Sequence, residues 1–437
     1  MKRDIYNEIL DWKNNNISKP LMVIGARQVG KTYIIKKFCE SEFQKYVYIN
    51  LFDNSELIDI FARNISIDDK VNYLKIIIKD KYNVDFDAKD TVLFIDEIQE
   101  SEDLISSLKF FNESEEEYKI ICAGSLLGVK LNRMKKSFPV GKVKILYMKP
   151  MNFKEFLNEV WGKEIIDILK QSYENNEPLI DSIHDKLLSL YRLYLCVGGM
   201  PEAISDIVKK NKDILKFDKS IIDGIITGYI SDMKKHVHDS TETVRIENIY
   251  RSIPSQIGNK SGKFQFAKIN KDARSKNYID ALKWLLSSKM AIRVCNLKKV
   301  DIPPKVYEDE DDFKLYLSDC GLLSSLLEIN YSDIMLDRDF IYKGEIAENY
   351  VLNQLVSNDL QIYFWKSNNS AEIDFIIYNE SGLIPIEVKS GTKVQSKSLQ
   401  VYMKRFKPKY GIRISAKNFG YENGIKSVPL YAAFLIK

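Results

Sequence analysis

Residues 25–32 read Gly25-Ala26-Arg27-Gln28-Val29-Gly30-Lys31-Thr32. They fit the phosphate-binding pattern G-x-x-x-x-G-K-[ST] at every fixed position, in which backbone N–H groups surround a phosphate. The lysine of this pattern reaches the β- and γ-phosphates, and the hydroxyl that follows it ligates Mg²⁺. Residues 20–24 are apolar enough for a buried strand, and residues 33–38 fit the start of an amphipathic helix. The whole octapeptide is therefore predicted to bind ATP or GTP.

A second apolar run, residues 91–95, ends in two adjacent carboxylates, Asp96 and Glu97. Its β-branched and aromatic residues are typical of a buried parallel strand. At the end of such a strand Asp96 would hold Mg²⁺ opposite Thr32, and Glu97 would polarise the water that attacks the γ-phosphate. The alternative is that the two carboxylates only mark the start of a helix. Lys31 and Glu97 are thus candidate catalytic residues, and Thr32 and Asp96 are candidate metal ligands.

A third apolar run, residues 118–124, precedes Ser125. Ligands of open α/β sheets bind beyond the carboxyl ends of the strands, so a hydroxyl there can sense the γ-phosphate or its water. Ser125 is therefore a candidate catalytic residue. The alternative is that Ser125 only caps the following helix.

Length and composition indicate a soluble protein with several domains. The chain has 437 residues, of which 45% are hydrophobic and 29% charged, and its net charge is +4. A chain of this length exceeds what one hydrophobic core usually organises. No run approaches the roughly 20 apolar residues of a membrane span, and no signal-like segment follows Met1, so we expect a cytoplasmic protein without a membrane partner. The five cysteines lack metal-site spacing and are expected to be reduced core residues.

Five segments together resemble a prokaryotic AAA+-like P-loop ATPase family with a C-terminal restriction-endonuclease-like, PD-(D/E)xK domain of undefined function. The segments are residues 20–32, 93–99, 123–125, 150–157 and 198–202. The resemblance implies ATP rather than GTP. It also implies an α/β chain in which a P-loop NTPase parallel sheet precedes a helical lid, a winged-helix-like middle domain and an α/β nuclease-like C-terminal domain. We expect these parts at residues 1–150, 151–239, 240–300 and 301–437.

The resemblance also raises the question of which cation clamps the transferred phosphate. Relatives often carry an arginine in a Pro-Gly-Arg-like turn, whereas residues 138–142 of this chain end in Lys142. Lysine cannot copy the bidentate fork of an arginine finger. Either Arg133 takes this catalytic role, or hydrolysis is slow. The alternative for Arg133 is a solvated basic helix face that it shares with neighbouring lysines.

The middle of the chain has a mixed helix and strand pattern with many basic residues. A helix is predicted over 279–286 and a strand over 290–294, which suggests a winged helix. The basic residues around it are Lys260, Lys263, Lys268, Lys271, Arg274 and Lys276. Such a unit could lie in a DNA groove, and a protein-docking winged helix is the alternative. Residues 198–201 are interpreted as a turn, and the segment His236-Val237-His238 as a solvated turn rather than a metal site.

The C-terminal third contains a predicted hairpin, with strands at 371–378 and 383–389 joined by a turn. Asp374 and Glu387 would meet across the two strands, and the period of two puts Glu387 and Lys389 on one face. Two carboxylates that share Mg²⁺, or Mn²⁺, can activate water against a phosphodiester, and an ammonium can stabilise the developing charge. Asp374, Glu387 and Lys389 are thus candidate catalytic residues.

The hairpin resembles the core of the PD-(D/E)xK nucleases, although Ile373 stands where the pattern name expects proline. The resemblance implies a preceding helix with an acidic residue, and residues 344–352 supply such a helix with Glu348 as the candidate. It also implies a helix after the hairpin that begins near residue 398 and carries Gln400. Candidate metal ligands are therefore Glu348, Asp374 and Glu387. The alternative is a nuclease-like fold that keeps these charges for ion pairing or binding without cleavage.

These patterns favour a P-loop ATPase coupled to a metal-dependent DNA endonuclease domain. The competing hypothesis is an ATPase-regulated scaffold or sensor whose C-terminal domain binds nucleic acid or protein without cutting. A small GTPase is less favoured, because the base-reading pattern Asn/Thr-Lys-x-Asp does not occur. The expected partners are a nucleotide and DNA, and the oligomeric state stays open.

Overall fold

The computed structural model describes the whole chain apart from residues 16, 88–89, 238, 259–262, 272, 368–370 and 393–396, and apart from the side chain of His236. The predictions that concern Lys260, His238 and the His236 side chain therefore lie outside the described residues. The chain divides into two compact units. The N-terminal unit comprises Met1–Lys149 and Ser287–Lys289, and the C-terminal unit comprises Pro150–Leu286 and Met290–Lys437. The finer boundaries at residues 239 and 300 stay predictions.

A parallel sheet forms the centre of the N-terminal unit. Its strands are β1 Leu21–Ile24, β2 Lys45–Asn50, β3 Thr91–Asp96, β4 Lys119–Gly124 and β5 Lys144–Tyr147. The order across the sheet is β2-β3-β4-β1-β5, and all neighbours are parallel. The three strands predicted around the phosphate loop and the carboxylates are confirmed as β1, β3 and β4.

Helices connect these strands. They are α1 Ile5–Asn15, α2 Lys31–Glu42, α3 Ser55–Ala62, α4 Ile67–Tyr82, α5 Glu102–Glu113 and α6 Leu127–Arg133. The polar residues before two of them act as caps: Ser66 accepts from the N–H of Asp69 and Ser101 accepts from that of Leu104. β1 and β3 are buried along their whole length, because the crossover helices of a parallel sheet cover its faces. This burial explains why both strands could be predicted as continuous apolar runs.

Helices dominate the first half of the C-terminal unit. They are α7 Phe153–Val160, α8 Glu164–Asn175, α9 Asp181–Val197, α10 Pro201–Lys209, α11 Ser220–His236, α12 Ser240–Ile257 and α13 Ser275–Ser287. The helix predicted over 279–286 is confirmed as part of α13, and the helical character of residues 152–239 is confirmed by α7 to α11. Their role as a lid stays a prediction.

A mixed sheet forms the second half of the C-terminal unit. Its strands are β6 Ala291–Leu297, β7 Glu308–Leu317, β8 Ile362–Lys366, β9 Glu372–Asn379, β10 Gly382–Val388, β11 Gly411–Ser415, β12 Gly420–Glu422 and β13 Ile425–Pro429. Their order is β12-β13-β11-β10-β9-β8-β6-β7. The helices of this part are α14 Cys320–Leu326, α15 Tyr331–Met335, α16 Lys343–Ser357 and α17 Lys397–Phe406. The α/β class expected for this half is confirmed.

One buried carboxylate fixes a glycine turn in the C-terminal unit. The turn predicted at 198–201 is confirmed, since α9 ends at Val197, Gly198 has φ 70°, and α10 begins at Pro201. Asp319 accepts from the backbone N–H of Gly199 at 2.6 Å, and it also caps α14 through two further N–H groups. Because Asp319 is only 1% exposed, these bonds replace the water that its charge would otherwise need.

The cysteines meet a further expectation of the sequence. All five cysteines are free and buried. Within the part of the chain that the structure describes, no helix combines the length and the apolar character needed to cross a membrane.

The carboxylate at Asp319 is predicted to stabilise the C-terminal unit. Asp319→Ala leaves three buried N–H groups without an acceptor and should lower the free energy of unfolding by about 3–5 kcal/mol. Asp319→Asn keeps one acceptor oxygen and should cost about 1–3 kcal/mol. Urea unfolding of the full chain measures both changes. If both variants lost the same free energy of unfolding, the hydrogen bonds to the two carboxylate oxygens would not contribute separately.

Candidate functional site

The predicted nucleotide site forms at one edge of the parallel sheet. β4 lies between β1 and β3, and parallel strands all end at the same edge. The loop after β1, the carboxylates at the end of β3 and Ser125 after β4 are therefore brought together. The sequence spacing between these segments is long, so only the sheet order explains their proximity.

The loop of residues 25–30 is a tight connection between β1 and α2. Gln28 and Gly30 have left-handed backbones, with φ 63° and φ 94°, a conformation that glycine adopts without steric cost. At Gly25 a Cβ atom would overlap the carbonyl oxygen of Met148. Ala26 and Val29 are buried, whereas Arg27 and Gln28 are exposed. The loop delivers the chain to the N-terminus of α2, where backbone N–H groups favour an anion.

Lys31 is held inside this loop by neutral oxygens. Its Nζ donates to the carbonyls of Gly25 at 2.9 Å and Ala26 at 2.8 Å, and the residue is 7% exposed. Arg3, which precedes α1, also supports the loop, because it donates to the carbonyl of Val29 at 2.8 Å. Sequence reasoning missed Arg3, which belongs to no motif.

Asp96 and Thr32 form the next part of the site. Thr32 Oγ1 donates to Asp96 Oδ2 at 2.6 Å, and the hydroxyl of Tyr48 donates to the same oxygen at 3.3 Å. Burial raises the pKa of Asp96 above its ordinary value, and the hydrogen bond from Thr32 opposes this shift. Burial and the charge of Asp96 raise the pKa of Tyr48 to about 12, so its hydroxyl stays protonated at neutral pH. Tyr48 was not predicted, since nothing in the apolar strand β2 marks its register against β3.

Glu97 and Ser125 lie on the other side of Asp96. Glu97 has a left-handed backbone with φ 55°, and its Oε2 accepts from Gln99 Nε2 at 2.5 Å and from Ser125 Oγ at 3.5 Å. The cap of α6 is Leu126 rather than Ser125, and it makes no side-chain hydrogen bond. The hydroxyl of Ser125 is thus directed to the candidate base and not to a helix end.

The two candidates for the missing arginine finger differ in their surroundings. Lys142 forms an ion pair with Glu113 at 2.9 Å. Arg133 is exposed at the last turn of α6, where Lys130 pairs with Glu102 at 3.0 Å. Only Arg133 offers the guanidinium fork that the role requires.

The C-terminal unit brings its candidate carboxylates onto two paired strands. β9 and β10 are antiparallel with Ile386 opposite Phe375, so Glu387 and Asp374 occupy the next rung. Asp374 Oδ2 accepts from the N–H of Val388 at 2.7 Å. Lys389 Nζ lies 2.7 Å from Glu387 Oε1, and this confirms that the two side chains share a face. The predicted hairpin and its register are therefore confirmed.

Burial and neighbouring charges shift the pKa values of Asp374 and Lys389 on this hairpin. Burial, together with the charges of Glu348 and Glu387, raises the pKa of Asp374 well above its ordinary value. Burial alone would lower the pKa of Lys389, but the hydrogen bond and charge of Glu387 outweigh it and raise that pKa. Glu387 Oε2 is buried without a hydrogen-bond partner among the described residues. An acceptor in this state is the orphan that a bound cation would satisfy.

Glu348 stands on α16, as the sequence predicts, but its carboxylate is engaged by side chains of β7. Lys314 Nζ lies 3.2 Å from Glu348 Oε1 and 2.5 Å from Glu372 Oε1, and the hydroxyl of Tyr316 also donates to Glu348. Lys314, Tyr316 and Glu372 were missed by sequence reasoning. Gln400 is exposed on α17. Among the described residues, no group of three or more His, Cys, Asp or Glu side chains is arranged to hold a metal ion.

The basic middle segment forms helices and a hairpin. α12 and α13 precede the antiparallel strands β6 and β7, and β6 also pairs in parallel with β8. The described basic side chains before and within α13 are exposed: Lys263, Lys268, Lys271, Arg274 and Lys276. This exposure is compatible with both a DNA-binding and a protein-docking surface, so the winged helix and its partner stay predictions.

Comparison with known protein families divides the chain into three matched regions. Residues 17–157 match the family model of an AAA domain. Residues 188–333 and 343–433 match two domains of unknown function, DUF8612 and DUF4143. No curated protein matches the chain. Residues 17–157 thus carry a P-loop ATPase domain with the parallel sheet of a P-loop NTPase.

Several solved structures match about three quarters of the chain at low similarity. A Walker-type ATPase of Pyrococcus abyssi has 15% identity and a TM-score of 0.45, over 75% of this chain and 96% of that chain. The ORC2 protein of Aeropyrum pernix, in its ADPNP-ADP complexes, has 15% identity and a TM-score of 0.35, over 76% and 92%. The RuvB Holliday junction branch migration motor of Thermotoga maritima has 12% identity and a TM-score of 0.31, over 78% and 96%.

A methyl group at Gly25 is predicted to abolish tight nucleotide binding. In Gly25→Ala the new Cβ would collide with the carbonyl of Met148, so the loop must shift away from this residue, which follows β5. We expect ATP affinity to fall at least about tenfold, measured with a fluorescent nucleotide. Gly224→Ala is the matched control, because no atom lies within 4 Å of its new Cβ. Unchanged affinity in Gly25→Ala would contradict the role of this close approach.

Proposed function

We propose that the N-terminal unit hydrolyses ATP and that this hydrolysis controls a nucleic-acid-directed activity of the C-terminal unit. The observation that carries the ATPase part is the 2.6 Å hydrogen bond between Thr32 and Asp96. It joins the last residue of the phosphate loop to the end of β3, which are the two positions that share Mg²⁺ in P-loop ATPases. Because both groups already lie together, they would hold a metal with little rearrangement.

Each residue of this site has a chemical role in the proposal. Lys31 exchanges its two carbonyl partners for phosphate oxygens, which are stronger acceptors for an ammonium. Thr32 and Asp96 are the residues that would hold Mg²⁺, which would neutralise charge on the nucleotide phosphates. Glu97 orients the attacking water and accepts its proton. Ser125, 3.5 Å from Glu97 Oε2, reports the state of the γ-phosphate to the base.

Loss of Glu97 is predicted to stop hydrolysis without stopping ATP binding. Glu97→Gln keeps the shape of the side chain but removes the base, so phosphate release should fall at least about 100-fold. Lys31→Ala should instead weaken ATP binding itself, because it removes the cation that meets the phosphates. Phosphate release and ATP affinity, measured on the same preparations, separate the two effects.

Lys37→Ala is the control for this experiment, since Lys37 is an exposed residue of α2. Full activity in Glu97→Gln would contradict the proposed base.

The same assay tests Arg133. Arg133→Ala should lower hydrolysis at least about tenfold, and Arg133→Lys should not restore it, because lysine lacks the guanidinium fork. Normal hydrolysis in Arg133→Lys would contradict the proposed role of the Arg133 guanidinium.

For the C-terminal unit we propose a metal-dependent DNA endonuclease. The observation that favours it is Glu387 Oε2, a buried carboxylate oxygen without a partner among the described residues, next to Asp374 and Lys389. Oxygen donors of this kind suit Mg²⁺ or Mn²⁺, and the residues that would hold the metal are Asp374 and Glu387, with Glu348 as a third ligand. A bound metal would acidify water for attack on a phosphodiester. Lys389 stabilises the negative charge that develops there.

The competing function is binding without cleavage. The exposed basic residues around the start of α13 support nucleic-acid binding on their own, because lysine and arginine neutralise phosphates regardless of sequence. A scaffold or sensor of this type would use the same surface and would not need the carboxylates of β9 and β10. The two functions therefore differ in their dependence on Glu387.

Plasmid nicking in Mg²⁺ or Mn²⁺ is predicted to depend on Glu387. Glu387→Gln removes one charge without changing the volume of the buried site, and it should reduce nicking at least about 100-fold. Glu380→Gln is the control, since Glu380 is exposed in the turn between β9 and β10. Nicking that survives Glu387→Gln would contradict the endonuclease. Salt-dependent DNA binding without nicking in any protein would favour the scaffold.

A further inference from the structure

We infer that Lys314 controls the affinity of the C-terminal carboxylate site for a divalent cation, because its ammonium group pairs with Glu348, a carboxylate that the cation would need. The inference rests on the proposed function of that site. It concerns a residue of β7 that the nuclease-like pattern does not include. The ligand class is a small divalent cation that prefers oxygen donors, such as Mg²⁺ or Mn²⁺.

Lys314 is positioned by two carboxylates from different elements. Its Nζ lies 3.2 Å from Glu348 Oε1 on α16 and 2.5 Å from Glu372 Oε1 on β9. The lysine side chain is 12% exposed, so water contributes little to its solvation. A buried ammonium is stable only with such partners, and the two ion pairs hold it in the site. Tyr316 adds a second donor to the same oxygen of Glu348.

The carboxylate oxygens of Asp374 and Glu387 differ in their hydrogen-bond partners. Asp374 Oδ2 is bound by the N–H of Val388, and Glu387 Oε1 is bound by Lys389. Glu387 Oε2 has no hydrogen-bond partner among the described residues. Glu387 Oε2 is thus a buried oxygen open to a cation, whereas Oε1 of Glu348, the ligand expected from α16, is engaged by Lys314 and Tyr316.

A metal and the Lys314 ammonium cannot both use Oε1 of Glu348 at low energy. A cation bound to Glu348 Oε1 at about 2.1 Å would lie within about 5.5 Å of an ammonium that is 3.2 Å from that oxygen. Two positive charges at this separation repel strongly in a poorly solvated site. Metal uptake through this oxygen therefore requires Lys314 to leave Glu348, which breaks their ion pair.

The charge balance of the cluster leads to the same conclusion. Four carboxylates, Glu348, Glu372, Asp374 and Glu387, face two ammonium groups, Lys314 and Lys389. The ammonium of Lys314 already supplies part of the positive charge that a divalent cation would bring. Removing it makes the cluster more negative, which favours a divalent cation. The native chain should therefore bind such a cation less tightly than a chain without the ammonium.

Calorimetric titration of the full chain with Mn²⁺, without nucleotide, tests this inference. Lys314→Met keeps an unbranched side chain but removes the charge, and we expect the Kd for Mn²⁺ to fall at least about tenfold relative to the native chain. Glu387→Gln added to Lys314→Met should abolish the gain, which locates the bound ion at this site. Lys343→Met is the matched control, because Lys343 is also mostly buried and also pairs with two carboxylates, Asp337 and Asp339.

A second variant distinguishes the loss of the Lys314 ammonium from a general disruption of the buried cluster. Lys314→Met with Glu372→Gln removes one positive and one negative charge together, so the charge balance of the buried cluster is unchanged. It should also bind Mn²⁺ more tightly than the native chain, because Glu348 is released from Lys314 in both variants. Thermal unfolding of each protein shows that the variants remain folded.

Each outcome decides the inference. Tighter Mn²⁺ binding in both Lys314 variants, but not in Lys343→Met, supports it. Equal or weaker binding in the Lys314 variants, or no binding in any protein, overturns it. Tighter binding without plasmid nicking would leave the inference intact and would overturn the endonuclease proposal alone.

Discussion

The nucleotide site depends on a single constraint, the parallel alignment of β1, β3 and β4. This alignment ends the three strands at one edge and places Thr32 Oγ1 2.6 Å from Asp96 Oδ2, although the two residues are 64 positions apart in the chain. An antiparallel arrangement would send one of the two groups to the opposite edge. The glycine turn at residues 25–30, the buried Lys31 and the Glu97–Ser125 contact all act at the edge that this alignment creates.

In the C-terminal unit, the candidate site depends instead on how its buried charged groups are paired. Carboxylates from α16, β9 and β10 lie close together in surroundings with little water, and such groups are stable only if cations or N–H groups meet them. Lys314, Lys389, Tyr316 and the N–H of Val388 provide these contacts. The fold therefore keeps its acidic cluster through its own side chains, and this is the reason that the chemistry of the cluster depends on residues outside the hairpin.

The sequence predicted those parts of both sites that lie in local patterns. In each of them a pattern of apolar residues stands next to a diagnostic polar residue. They are the phosphate loop, β3, β4 and the β9–β10 hairpin. Tyr48 and Lys314 could not be found in this way, because each meets its partner through strand register and sheet order. Lys314 follows the acidic stretch Glu308–Asp312, so by sequence it resembles a solvated strand residue. Its burial depends on α16, which begins 29 residues later.

The two buried lysines of the candidate sites show why similar burial leads to opposite behaviour. Lys31 is held by the neutral carbonyls of Gly25 and Ala26, so a phosphate offers it a stronger, charged acceptor. Lys314 already has carboxylates as partners, so any incoming cation must first displace an ammonium from an ion pair. The loop lysine therefore gains interaction energy when its ligand arrives, whereas Lys314 loses it. Whether a buried lysine promotes or opposes ligand binding thus depends on the charge of its resting partners.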